Sequence, residues 1–325
     1  MPTVTLTVHL PGVELADEGA TLANGRVTAL PFESWQRLDP SFEGAQRSFE
    51  RSRPVFWVGP IQVEDADQDA LLDAASEAMG QVHDAFLLDP AVPWLPSPAI
   101  SVHYLQFEPA GPFAAYLEQV LRVLGPMERE WIVFGSSIRH AYDAPRLSVV
   151  QRQWELLEKA RAVANLGPAR AALATLERTA RPDSWWGTVH GSSVNELLQC
   201  VAACESELLG DDSTATLTDA FARHAAALTA TTEAEVAGHR SLWERVYRLR
   251  SDLIHGRLGL HELDEERAGL LPLPRRLLRD IAEALLRLAP AGVLSREPLS
   301  ALLARACEAP AEREALRRLI GRNDL

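Results

Sequence analysis

The apolar positions change their period along the chain. Residues 4–10, 54–63, 100–107 and 131–135 are short runs rich in β-branched and aromatic side chains, which predicts strands. Residues 69–87 and 113–125 instead repeat every three to four positions, the signature of amphipathic helices. Between them, residues 89–98 carry four prolines and must run as an extended loop. From Pro145 onward the strand signals stop. Two helices over about 146–180 join at Gly167–Pro168, and the Pro-, Gly- and Ser-bearing stretch 180–193 then breaks the pattern. The expected organisation is an α+β domain over 1–185, which includes that helical pair, followed by an all-α bundle over 186–325.

Punctuation divides the second half. Ser193-Val-Asn-Glu196 has the spacing of a capping box and should open a helix that reaches Leu209. A second helix is expected from Thr216 to Leu228. Thr232-Glu-Ala-Glu235 repeats the capping-box spacing and opens a third helix, which Gly256 ends by supplying a left-handed residue. Residues 275–289 make a fourth amphipathic helix, and short helices follow at 297–307 and 311–320.

The third helix places chemistry in unusual company. Leu242, Val246, Leu249 and Leu253 form a core stripe, and the neighbouring row holds Trp243, Tyr247, Arg250 and Ile254. An arginine on an apolar row needs a partner, because an unpaired buried charge is costly. The helix before it offers one. Glu205 falls on a row with Val194, Leu198, Val201 and Leu208, so a pair of Glu205 with Arg250 or with Arg223 is expected. Such a pair can be purely structural, or it can belong to a site. Five positions after Arg250 comes His255, in the last helical turn. On one ideal helix the two side chains stand about 140° apart, so they converge only if two copies of the helix meet across a two-fold axis.

Leu242-Trp243, then Tyr247-x-Leu249-Arg250-Ser251-Asp252-Leu253-Ile254-His255-Gly256, resembles the Apea-like branch of the HEPN family, whose hallmark is an Arg-x4–6-His motif. The Glu205 helix and the Phe221-Ala-Arg223 segment are similar to that branch as well. The resemblance spans about residues 190–290. It implies a four- to five-helix bundle that dimerises around the motif, and active members are endoribonucleases that need no metal. Arg250 and His255 would then be catalytic, with Ser251, Asp252, Glu205, Tyr247 and Arg223 supporting them. The expected products carry 2′,3′-cyclic phosphate ends. Some family toxins place a modifiable tyrosine two residues after the histidine; this chain has Arg257 there.

Charge bears on that expectation. The chain has 45 acidic and 32 basic side chains and a formal net charge of −13, which excludes binding nucleic acid or an anionic membrane by bulk attraction. Residues 240–257 nevertheless hold five arginines against two acids, and Arg245, Arg248 and Arg257 are the expected RNA contacts; the plainer reading is a solvated helix face. Of the three cysteines, Cys200 and Cys204 share a helical face and suit core packing better than a metal site. No cofactor or metal is expected. No run is apolar enough to span a membrane and the first 20 residues lack a signal-peptide pattern, so a cytoplasmic location is expected. The expected partners are RNA, a second copy of the chain, and a trigger or regulator at the first domain. The rival reading is a non-catalytic interaction or nucleotide-binding module.

Overall fold

The computed structural model describes residues 3–10, 13–16, 19–22, 25–29, 55–62, 68–89, 103–106, 140–163, 166–180, 189–209 and 216–321. The expected strand at 131–135, the expected helix at 113–125, the proline-rich loop after Asp89 and residues 181–188 of the expected break lie outside them. The described elements are predominantly helical, with a small sheet region toward the start of the chain. They form two compact units, Met1–Glu155 and Leu156–Leu325. No helix of the described residues is long and apolar enough to cross a membrane.

In the first unit, β1 (Thr3–His9), β3 (Ala20–Leu22), β4 (Gly25–Ala29), β5 (Val55–Gln62) and β6 (His103–Gln106) form one antiparallel sheet in the order β3-β4-β5-β1-β6. A separate parallel pair joins β2 (Val13–Leu15) to β7 (His140–Tyr142). Alternation along β5 buries Val55 and Trp57, as the two-residue period of a strand requires. The Trp57 indole donates to the Leu22 carbonyl at 3.0 Å and stacks on Trp154 at 6.4 Å. Gly25 and Gly59 flank that indole, and a methyl group at either would collide with it. Helix α1 (Gln68–Leu87) packs on β5 and buries Val82, Ala85 and Phe86. The Phe86 ring meets Tyr142 edge-on at 5.2 Å, and the Arg146 guanidinium lies over the Tyr142 ring at 4.2 Å while pairing with buried Asp89 at 3.0 Å.

The division between the units falls inside α2 (Ala144–Arg161). The sequence pattern assigned the helices of 146–180 to the first domain. In the structure α3 (Gly167–Ala180) packs instead on α4 (Val189–Leu209) and α8 (Leu273–Leu288) of the second unit. Ala169, Ala172, Leu173 and Leu176, spaced at helical repeats, are the buried face that makes this packing.

The second unit is a bundle of these helices with α5 (Leu217–Thr229), α6 (Val236–Ile254), the single turn α7 (Glu265–Ala268), α9 (Leu299–Glu308) and α10 (Pro310–Leu319). Its core holds Leu197, Val201 and Cys204 of α4, Phe221 and the alanines of α5, and Leu277, Ile281 and Leu285 of α8. The alanines of α5 leave room for α6 to approach as a helical hairpin. Thr232 and Glu235 form the expected capping box before α6. The expected box at Ser193–Glu196 does not start a helix: α4 already runs from Val189, so Ser193 lies inside it, and Glu196 pairs with Arg275 at 3.5 Å. Buried Arg313 and Arg317 of α10 clamp the α5–α6 turn. Arg313 pairs with Glu233, and Arg317 donates to the Ala230 carbonyl at 3.0 Å, which closes the open end of α5.

Candidate functional site

Tyr247 and Arg250 are three apart on α6 and therefore share a face. Opposite them on α4 stands Glu205. The Tyr247 hydroxyl donates to one carboxylate oxygen, and Arg250 Nη2 donates to the other at 3.1 Å. Phe221 of α5 closes the other side, its ring 4.9 Å from that of Tyr247. The Arg250 guanidinium carbon lies 5.6 Å from the Tyr247 ring centre, within cation–π range. Burial, and then the hydrogen bond to Glu205, push the Tyr247 hydroxyl up to about 12, so it remains a donor at neutral pH. About a fifth of each charged side chain stays exposed, 20% for Glu205 and 22% for Arg250. Arg250 Nε is buried and has no hydrogen-bond partner among the described residues. Of the two expected partners of Glu205, the structure brings in Arg250. Arg223 pairs with Asp219 at 3.0 Å, and Asp219 also takes Arg240 at 2.6 Å, so Arg223 stands with a different cluster.

Helix α6 ends in a way that fixes the backbone of His255. Gly256 adopts φ +65°, a conformation cheap only for glycine. The Gly256 N–H then bonds the Leu253 carbonyl at 3.3 Å and the Arg257 N–H bonds the Asp252 carbonyl at 2.8 Å, the two bonds of a Schellman end. The His255 N–H bonds the Ser251 carbonyl at 3.0 Å. Ser251 and Asp252 thus hold the turn through their carbonyls. The His255 side chain is exposed, and no described residue hydrogen-bonds to its imidazole. Beside it Ile254 is 48% exposed, so the apolar row that is buried at Trp243 and Tyr247 runs out into solvent in the last turn.

The expected RNA-contacting arginines are exposed and paired with acids. Arg245 meets Glu266 at 3.2 Å, Arg248 meets Glu244 one turn back, and Arg257 meets Asp252 at 3.8 Å. Exposed pairs of this kind contribute little and are screened by salt. Cys200 and Cys204 are buried among core side chains. Burial raises the Cys200 thiol to about 12 and that of Cys204 well above its ordinary value, so neither is a thiolate nucleophile. Among the described residues, no group of three His, Cys, Asp or Glu side chains is placed to hold a metal.

Sequence reasoning missed a second concentration of polar groups. His224 and Glu207 line a cavity of about 770 Å³ between α3, α4, α5, α8 and α9. A signal for His224 existed, since it stands at i+3 from Phe221 and i−4 from Leu228 on an otherwise apolar face. No family model, no curated protein and no solved structure matches this chain.

Proposed function

We propose that the helical unit is an HEPN-type endoribonuclease, independent of metal, that acts as a homodimer in defence or toxin-like RNA cleavage. The observation that supports it most is the contrast at the end of α6. Arg250 is positioned from below by Glu205 and Tyr247, whereas His255 stands exposed and, among the described residues, without a hydrogen-bond partner, on a backbone held by a Schellman end. An imidazole can both take and give a proton, which suits proton transfer, and a pinned guanidinium suits charge building on a phosphoryl group. In the proposed reaction one His255 takes the proton of a ribose 2′-OH. That oxygen bonds to phosphorus, the bond to the 5′-oxygen breaks, and the leaving oxygen takes a proton from the second copy's His255. The exposed Ile254 supports a contact between copies at this turn. Arg245, Arg248 and Arg257 would exchange their weak acid partners for RNA phosphates, and the first unit would sense a trigger or restrain the nuclease.

A specific observation favours a second reading. Each of Arg240, Arg245, Arg248, Arg250 and Arg257 already has an acidic partner, so the face carries less free positive charge than its composition implies. On that reading the bundle is an interaction module, and Arg250 only ties α6 to α4.

The decisive measurement is cleavage of a mixed RNA pool by the full chain and by His255→Ala. The expected loss is about 100-fold or more, with an unchanged melting temperature because the side chain is exposed. Cleavage should persist in EDTA, leave cyclic phosphate ends, and fail where the scissile ribose is 2′-deoxy. Wild-type cleavage by His255→Ala would overturn the nuclease reading in favour of the interaction module.

A further inference from the structure

The cavity in the second unit is half-open and about 770 Å³, within the range of small-molecule sites. The end of α4 supplies Ser206, Glu207 and Leu209 to its wall, α5 supplies His224, and the segment leading into α9 supplies Arg296 and Glu297. Two of these groups are anomalous. Glu207 is half-buried, and among the described residues it has neither a cation nor a hydrogen-bond donor; burial alone raises its carboxyl above the usual range. A carboxylate that loses water without gaining a partner is costly, and such groups are ordinarily paired. His224 is the second. Its Nδ1 lies 2.6 Å from the Leu208 carbonyl, which can only accept, so Nδ1 carries the proton. Burial lowers the pKa of the ring, which leaves Nε2 as an unprotonated acceptor at neutral pH.

Among the described residues, neither the Glu207 carboxylate nor His224 Nε2 receives a hydrogen bond. Glu207 and Leu208 stand in the last turn of α4, at the negative end of that helix. Glu297 is already held by Arg305, and Arg296 is exposed to water, where its charge is screened. We propose that this cavity binds a small organic cation with N–H donors, a primary amine or a guanidinium, through the Glu207 carboxylate with His224 Nε2 as a second acceptor. The site is separate from the Glu205–Arg250 cluster and does not depend on the nuclease reading.

Calorimetric titration of the full chain with agmatine tests it, with butylamine as the simplest amine, and butanol and acetate as neutral and anionic controls. Agmatine is expected to bind, butylamine more weakly, and the controls not at all. Glu207→Gln should weaken agmatine by about tenfold or more. In the unaltered chain the His224 ring signals should shift as agmatine is added, a readout that does not require the variant to fold. N-acetylarginine methylamide, which presents the same guanidinium on a peptide backbone, should bind more weakly than agmatine; tighter binding would overturn a free small molecule as the ligand. The proposal also fails if agmatine gives no binding up to about 10 mM, if butanol binds as well, or if Glu207→Gln leaves the affinity unchanged.

Discussion

Helix α4 carries two half-buried carboxylates two residues apart, and they live under opposite conditions. Glu205 faces α6 and has both oxygens occupied, one by the Tyr247 hydroxyl and one by Arg250. Glu207 faces the cavity and has no partner among the described residues. Residues two apart on a helix point about 200° away from each other, so one turn of α4 serves two unrelated environments. The comparison shows that burial alone does not say what a charge does. Glu205 completes a network and stabilises it, whereas Glu207 loses water without gaining a partner among the described residues and costs stability.

The sharpest way to break this comparison is to truncate each carboxylate. Glu205→Ala orphans Arg250 and removes the acceptor of Tyr247, and should destabilise the chain by about 3 kcal/mol, toward the lower end for buried pairs because some exposure remains. Denaturant unfolding would measure it, and a loss below about 1 kcal/mol would place Glu205 with ordinary surface pairs. Tyr247→Phe keeps the ring and removes one donor, so the expected loss is about 1 kcal/mol. Its hydroxyl also has a titration signature. Because its folded pKa is raised, the stabilisation is present below pH 10 and is lost as the pH rises through about 12. Absorbance titration should therefore show a late-ionising tyrosine component that Tyr247→Phe removes.

The smallest effect has the opposite sign. Glu207→Gln should stabilise the chain near neutral pH by about 0.5 kcal/mol, a figure discounted for remaining contact with water. The Glu207 carboxyl is also raised, so folding favours its protonated form. The penalty is absent below the usual carboxylate pKa of 4.5 and appears as the pH rises through the folded value. The gap between Glu207→Gln and the unaltered chain should thus close on acidification. Destabilisation by Glu207→Gln would mean that the carboxylate has a partner after all.

The sequence showed one side of α4 more readily than the other. A glutamate and an arginine on otherwise apolar rows stand out against their neighbours, and both caps of α6 follow local rules written in adjacent residues. The start of α4 was misread because Ser193 and Glu196 satisfy a local pattern while Glu196 answers to Arg275, far away in the chain. The same limit hid the buried arginines. Arg275, Arg279, Arg313 and Arg317 sit on helices whose sequence does not mark them as buried, and only tertiary packing places them inside. Arg223 could reach Glu205 or Asp219 by spacing alone, and the one-turn partner on its own helix wins. A cavity leaves almost no mark in a single sequence, since its walls come from five helices and the segment before α9.

The clamp of α10 on the α5–α6 turn has a consequence for the order of folding. Its contacts to Glu233 and Ala230 span 80 and 87 residues. The α5–α6 hairpin can form early from local contacts, but its turn gains these arginines only after a long loop has closed, and long-range closure is slow. Arg317→Ala should therefore chiefly accelerate unfolding and leave the refolding rate nearly unchanged, as expected of contacts made after the transition state.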